Sequence, residues 1–136
     1  MRTVILLSSI AVAVLQSDRA PLSSRPELYG GDDPFKSVER ERWLAESANA
    51  FAIRDRNPQA PVHILVISKA QVPTLLHASE ALLGEMLGLA KQVAEKEGIA
   101  ADGFRIVINT HPDGGQSAYH LHIHVLGGRQ MNWPPG

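Results

Sequence analysis

Alternating and continuous apolar positions divide the chain into a few regular elements. Residues 62–68 (VHILVIS) are almost entirely aliphatic, which predicts a strand buried on both faces. Residues 51–55 (FAIRD) predict a shorter strand before it, and the two prolines in residues 57–61 must break the chain between them. Residues 104–109 (FRIVIN) alternate and predict a further strand.

A helix is predicted over residues 79–97, where apolar side chains recur at the three- and four-residue steps of one face. Ser79 is placed to cap its N-terminus, and Gly98 is placed to end it with a left-handed residue. We interpret the helix as scaffold. The positions predicted to face the core are Leu82, Leu83, Met86, Leu87, Ala90, Val93 and Ala94.

The last predicted strand, within residues 119–126, carries three of the six histidines at alternate positions. Side chains alternate between the two faces of a strand, so one face holds His120, His122 and His124. The opposite, core-directed face holds Leu121, Ile123 and Val125. The turn signal Asp113-Gly114-Gly115 predicts a hairpin that pairs this strand antiparallel with residues 104–109. The fold class predicted from these elements is α+β, an antiparallel meander sheet with one long helix.

Composition narrows the classes of function. A chain of 136 residues with 13 basic and 14 acidic side chains has a formal charge of −1. That balance gives no electrostatic reason to expect nucleic acid or an anionic membrane as a partner. The chain contains no cysteine, which excludes disulfides, thiolate zinc sites and a cysteine nucleophile.

Residues 1–28 differ in composition from residues 29–136, which are predicted to form the folded domain. The apolar run of residues 3–15 is too short to span a bilayer as a helix. Its length suits the core of a signal peptide, whereas the arginines and serines that follow suit a transit peptide. A poorly ordered leader and a strand paired with the domain remain alternatives, so secreted and mitochondrial or other organellar locations both stay open.

Three imidazoles in a row admit two kinds of chemistry. They can bind zinc and leave one position for water, or one ring can attack phosphorus while another stabilises charge. The turn Gly114-Gly115-Gln116-Ser117 lies just before the row, and such turns present backbone N–H groups and a hydroxyl to anions. Phosphorus chemistry is therefore favoured. His63, alone in an aliphatic strand, is by itself better explained as a buried core residue.

The histidine row also matches a known pattern. Residues 120–126 fit His-φ-His-φ-His-φ-φ, where φ is apolar, and this chain resembles the histidine-triad (HIT) superfamily. Residues 57–63, 113–117 and 127–136 resemble its Hint branch, the purine nucleoside phosphoramidases, and the likeness covers roughly residues 43–136. The resemblance implies a HIT-like fold in a homodimer and a cytoplasmic location. It further implies hydrolysis of AMP linked through phosphorus to an amine, with no cofactor and no metal.

The resemblance also implies a role for individual residues. His122 would be the nucleophile that forms an adenylyl-histidine intermediate, and His124 would bind the α-phosphate. Ser117 would hydrogen-bond near the scissile bond, while His120 and His63 would orient the nucleophile. The nucleotide would further contact Asp55, Arg56, Asn109, Gly115 and Gln116. Trp133 would belong to a tail that reaches the partner protomer's site.

Three departures from the family pattern affect the expectation. Asp33-Pro34-Phe35-Lys36 stands where some HIT proteins have Cys-Pro-Phe-Cys, so a structural zinc is not expected there. Arg56 replaces an aliphatic residue beside the ribose-binding Asp55, and Gln71 replaces a histidine. Alternatives are a dinucleoside polyphosphate hydrolase and a purine-nucleotide-binding regulatory module with little turnover. A metal-dependent enzyme is a further, less favoured alternative.

Overall fold

The computed structural model describes residues 26–136. A division into two units falls between Gly30 and Gly31. Of the first unit, a single 3-10 turn at Pro26–Leu28 is described. The predictions of a targeting segment or an added strand in residues 1–25 lie outside the described residues. The second unit contains the sheet, the helix and all the histidines.

Five strands form one antiparallel sheet. They are β1 (Ala45–Glu46), β2 (Ala50–Arg54), β3 (Val62–Ser68), β4 (Phe104–Val107) and β5 (His122–Gly127). The first three follow one another in a meander, β4 lies at the far edge, and β5 returns between β3 and β4. The predicted antiparallel pairing of the histidine strand with the FRIV segment is confirmed. β3 also has the predicted bounds and is buried from its second residue onward.

Helix α1 (Glu80–Lys96) confirms the predicted helix and both of its caps. The Ser79 hydroxyl accepts a hydrogen bond from the Leu82 N–H at 3.1 Å, and Gly98 has a positive φ of 75°. One predicted core position is wrong: Leu87 is 43 % exposed, whereas Leu89 is 2 % exposed and lies in the core. Within residues 26–136 no helix is long and apolar enough to cross a membrane.

The two faces of the sheet have different cores. Helix α1 covers one face, where Ile64, Val66, Ile123 and Val125 pack against its buried side chains. The other face carries a smaller apolar cluster of Phe51, Ile53, Leu65 and Ile67, partly covered by Phe35, Val38 and Trp43. Cross-strand pairs share a face. His122 lies opposite Ile67 and His124 opposite Leu65, so both rings project from the face that the helix leaves open.

The connection between β4 and β5 is longer than predicted. The strands pair, but residues 108–121 join them, and the turn at residues 111–115 is only part of that loop. The Gln116 amide shapes the loop, because its Nε2 donates to the carbonyls of Pro73 and Ala118 at 2.9 and 3.1 Å. As a result β5 begins at His122, and His120 precedes the strand instead of lying on it.

Candidate active site

A cavity of about 260 Å³ opens on the face that carries the histidines. Its apolar lining comes from Pro34, Phe35, Val38, Ile53, Leu65 and Ala118, and its polar lining from Arg42, Arg54, Asp55, Arg56, Ser117 and His122. The predicted nucleophile, the predicted scissile-bond hydroxyl and the predicted ribose-binding carboxylate therefore share one cavity. A cavity lined by apolar side chains together with a few polar groups is typical of a small-molecule site.

His122 has one ring nitrogen held and one available for chemistry. Its Nδ1 lies 2.7 Å from the backbone oxygen of His120. A carbonyl oxygen only accepts, so Nδ1 must carry the proton and the lone pair of the neutral ring lies on Nε2. Burial lowers the pKa of His122 below 6.5, with repulsion from His120 adding to the effect and the backbone hydrogen bond opposing it. The ring is thus neutral near neutral pH, with its Nε2 lone pair available.

His63 and His124 form a second directed chain of hydrogen bonds. The Gln59 N–H donates to His63 Nδ1 at 3.0 Å, which leaves the proton of His63 on Nε2. That Nε2 lies 2.9 Å from His124 Nδ1 and 3.3 Å from an Asp55 carboxylate oxygen. When His63 donates to His124 Nδ1, the neutral His124 ring must carry its own proton on Nε2.

Burial and the neighbouring rings keep His124 uncharged. Desolvation, followed by repulsion from His122 and His63, lowers the pKa of His124 to about 4, although Asp55 opposes the shift. Burial also lowers the pKa of His63, again against the pull of Asp55. A neutral His124 with a proton on Nε2 can donate a hydrogen bond to an oxygen of a bound phosphate without itself acting as a nucleophile.

Asp55, His63 and His124 place three potential metal-ligand atoms within 4.8 Å of one another. The hydrogen bonds do not suit a metal, because the Gln59 N–H occupies His63 Nδ1 and the proton therefore lies on the nitrogen that would have to coordinate. Binding an ion would require His63 to lose that proton or to break the bond from Gln59. The three residues fit a hydrogen-bonded relay better than a metal site.

His120 lies next to His122 and is 5 % exposed. Its Nε2 lies 2.6 Å from the Ser68 carbonyl oxygen, and its Nδ1 lies 2.7 Å from a carboxylate oxygen of Asp33. The Phe35 ring packs edge-on against both His120 and His122, with centroid distances of 5.6 and 5.1 Å. Asp33 and Phe35 are functional candidates that the sequence analysis missed. The only signal in the sequence was that both residues lie in the segment that departs from Cys-Pro-Phe-Cys. Asp33 is 87 positions away from His120, so no local pattern connects the two.

The remaining predicted nucleotide contacts divide into two groups. Asp55, Arg56 and Ser117 line the cavity, whereas Asn109, Gly115 and Gln116 do not. The backbone N–H groups of Gly115 and Gln116 donate within the loop, to the carbonyls of Pro112 and His111 at 2.9 and 3.1 Å. In this conformation the loop satisfies its own donors, so the contact of these three residues with a nucleotide stays a prediction.

Trp133 lies in a surface tail and is 83 % exposed. Two arginines tie this tail to the domain: Arg105 donates to the Asn132 carbonyl at 2.6 Å, and Arg129 donates to the Gln59 carbonyl at 3.0 and 3.2 Å. A large exposed indole on a tethered tail is available to a second molecule. Its predicted approach to a partner protomer's site stays a prediction.

Comparison with known proteins finds the family that the histidine pattern of residues 120–126 resembles. Residues 36–131 match the family model of the HIT domain. A protein from Arabidopsis thaliana named adenylylsulfatase HINT1 is 53 % identical over 140 residues, covering 94 % of this chain and 92 % of its own. A 14 kDa zinc-binding protein from Zea mays is 53 % identical over 120 residues, covering 85 % and 91 %. The crystal structure of a HIT family hydrolase from Legionella pneumophila is 44 % identical over 70 % of this chain and 88 % of its own, with a TM-score of 0.66.

Proposed function

The chain belongs to the HIT family, and from that premise we propose that it hydrolyses purine nucleotides in which AMP is joined through phosphorus to an amine. Membership of the HIT family supports the general part of the proposal, that the protein is a nucleotide-binding hydrolase. The specific part, that it is a nucleoside phosphoramidase, rests on the residues of the site. A two-protomer assembly with Trp133 near the partner's cavity is part of the proposal.

The observation that carries the proposal is the tautomer of His122. With its Nδ1 proton donated to the His120 carbonyl, the ring presents the Nε2 lone pair beside a cavity that also holds Ser117. A neutral imidazole with a directed lone pair is a competent nucleophile at phosphorus. Apolar walls formed by Phe35, Ile53 and Leu65 suit a purine base, and Asp55 at the rim suits ribose hydroxyls.

The reaction takes place in two displacements. His122 Nε2 attacks the α-phosphorus, the bond from phosphorus to the amine nitrogen breaks, and the amine leaves with the electron pair and takes up a proton. Water then attacks the same phosphorus, the bond to Nε2 breaks, and AMP is released while the water yields a proton. The His124 Nε2–H donates to a phosphoryl oxygen in both steps, where negative charge develops.

The decisive experiment measures AMP release from an adenosine phosphoramidate by the wild type and by His122→Ala. We expect the variant to lose at least about a thousandfold in kcat/KM, because no other group in the cavity replaces the nucleophile. Trapping an adenylyl group on His122 by acid quench and mass spectrometry would identify the attacked atom. Equal rates for the two proteins would refute the proposal.

The activity is also expected to persist below the ordinary titration range of histidine. Burial lowers the pKa of His122 below 6.5, and only the neutral ring attacks. The acid limb, which is the decline of kcat/KM on the low-pH side of its pH profile, should therefore be centred below pH 6.5. Activity is lost as the pH falls through this limb. A limb at or above the ordinary value, in the absence of substrate titration, would contradict the assignment of His122 as a desolvated nucleophile.

A second substrate class is favoured by one relative. The Arabidopsis protein is named an adenylylsulfatase, so adenylyl sulfate is a candidate substrate here as well. Sulfate leaves without needing a proton, whereas an amine needs one, so the two substrates should differ in how kcat/KM falls toward high pH. Comparing kcat/KM for adenosine phosphoramidate, adenylyl sulfate and a dinucleoside polyphosphate would assign the leaving group.

A regulatory module with little turnover makes a different prediction. It would bind AMP tightly, yet the wild type would release AMP from these substrates no faster than His122→Ala. Arg56 in place of an aliphatic residue motivates this alternative, because it changes the cavity beside Asp55. Calorimetric titration with AMP, alongside the turnover assay, would distinguish the two.

A further inference from the structure

A buried ion pair lies directly behind the proposed nucleophile. Asp33 and His120 are joined at 2.7 Å, and their side chains are only 7 % and 6 % exposed. Burial alone would raise the pKa of Asp33, but the hydrogen bonds with His120 and the Phe35 N–H lower it. A buried carboxylate kept ionised in this way requires a charged or strongly donating partner.

The partners of His120 define the charge of its ring. Nε2 faces the carbonyl oxygen of Ser68 at 2.6 Å, and a carbonyl cannot donate, so Nε2 carries a proton. Nδ1 faces an ionised carboxylate, so Nδ1 carries a proton as well. Both ring nitrogens of His120 thus face acceptors, which is the environment of an imidazolium, and repulsion from His120 adds to burial in lowering the pKa of His122.

His120 also sets the position of the nucleophile. Its backbone oxygen accepts the Nδ1–H of His122 at 2.7 Å, which selects the tautomer with Nε2 free. Two hydrogen bonds fix the ring of His120, and the edge of Phe35 packs against it. A ring anchored at both nitrogens restrains the backbone of His120 and, with it, the carbonyl that holds His122. Asp33 is therefore connected to His122 through one residue, His120, by two hydrogen bonds.

We propose that Asp33 is a positioning residue for His122: its carboxylate fixes the ring of His120 as an imidazolium, whose carbonyl orients the nucleophile and whose charge adds to burial in keeping the nucleophile neutral. This inference rests on the proposed function of His122. Asp33 does not line the cavity that holds His122, but lines a neighbouring one with Lys36, Trp43, Gln71 and His120. Its effect should therefore appear in kcat and in the pH profile, and hardly in KM.

Two substitutions separate charge from position. In Asp33→Asn the amide can donate to His120 Nδ1, so a neutral His120 keeps both of its hydrogen bonds and its place. The positive charge near His122 disappears, and the acid limb of kcat/KM should shift to higher pH while kcat well above that limb is largely kept. In Asp33→Ala the hydrogen bonds to His120 and to the Phe35 N–H are both lost and a gap remains, so kcat should fall about tenfold or more even well above the acid limb.

Asp32→Asn is the matched control. Asp32 is the adjacent carboxylate, is exposed, and has no contact with His120. The other titratable groups facing the pair or the nucleophile are Lys36, Lys69, Asp55, His63 and His124, and they are the same in all variants. An acid limb that moves in Asp33→Asn and stays in place in Asp32→Asn is therefore assigned to the buried pair. Thermal unfolding of each variant shows whether Asp33→Ala is folded at the assay temperature.

The proposal has a second readout that needs no turnover. Nitrogen NMR of the imidazole rings should show two protonated nitrogens on His120 in the wild type and in Asp32→Asn, and one in Asp33→Asn. Unchanged ring shifts in Asp33→Asn, or an acid limb that stays in place or moves to lower pH, would overturn it. If the wild type hydrolyses none of the substrates, the proposed function fails, and the NMR result still decides whether Asp33 sets the charge of His120.

Discussion

At the scale of single residues, four histidines of the same chemistry have different protonation states because their acceptors and donors differ. His122 donates from Nδ1 to a carbonyl, His63 accepts from a backbone N–H, and His124 accepts in turn from His63. His120 faces two acceptors. These fixed partners determine which nitrogens of each ring carry protons before any substrate is bound, and the proposed roles of nucleophile, phosphate donor and supports depend on them.

Removing His63 tests the series of hydrogen bonds that runs from the Gln59 N–H through His63 to His124. His63→Ala leaves His124 Nδ1 without its donor, so the His124 ring can place its proton on either nitrogen. We expect KM for an adenosine phosphoramidate to rise, and kcat/KM to fall about tenfold, the effect of one lost hydrogen bond.

The control is His77→Ala, a histidine bonded to Thr74 and outside the lining of the cavity. It should leave both kinetic constants near the wild-type values. An undiminished kcat/KM in His63→Ala would show that His124 does not depend on this partner.

At the scale of secondary-structure elements, the packing of helix α1 on one face of the sheet leaves His122 and His124 on the other face. Helix α1 packs on the face of β3 and β5 that carries Ile64, Val66 and Ile123, which leaves the alternate positions of both strands to the site. A slip of β5 by one residue would exchange the two faces and bury the histidines under the helix. The apolar face therefore maintains the register on which the site depends.

The burial of Leu89 and the exposure of Leu87 can be tested by measuring the free energy of unfolding. Leu89→Ala should lower the free energy of unfolding by about 2–5 kcal/mol, because the side chain is 2 % exposed and truncation leaves a cavity. Leu87→Ala removes the same atoms from a side chain that is 43 % exposed, and should cost only about 0.5 kcal/mol. Denaturant unfolding of both variants measures the difference. Equal losses would contradict the observed orientation of the helix.

At the scale of the whole molecule, the folded chain buries rings that water would readily protonate. The pKa of His124 falls from 6.5 to about 4 on folding, mainly through desolvation, and the pKa values of His122 and His63 are lowered as well. A ring whose pKa is lower in the folded state binds fewer protons there than in the unfolded chain. The fold is therefore destabilised by acid in a range set by these histidines.

The contribution of His124 to the stability of the wild type should fall as the pH drops from about 6.5 toward about 4, where His124 is finally protonated in the folded state. His124→Asn removes one of these rings and should lose less stability over the same interval. Unfolding midpoints measured across this range would show it. Parallel pH dependence of the two proteins would indicate that other groups control acid unfolding.

Local signals were sufficient for most of the fold. Strand β3, helix α1 with its Ser79 and Gly98 caps, and the pairing of β4 with β5 all depend on patterns within short stretches of chain. Leu87 was misassigned because both it and Leu89 lie three or four residues from other apolar positions. Leu89 lies three residues after Met86 and four before Val93, at the centre of the buried stripe. Periodicity alone does not locate that centre.

By itself the sequence determined the alternation that places His122 and His124 on one face and Ile123 and Val125 on the other, because a strand has a fixed period of two. Only the tertiary structure decided which protons His120 and His124 carry. The partners that set these protons, Asp33 and His63, are 87 and 61 positions away from the histidines they contact, and no local pattern encodes such contacts. The alternation of His122 and His124 is a property of one strand, whereas the arrangement of the site depends on the folded sheet and on the loops that bring His120 and Asp33 to it.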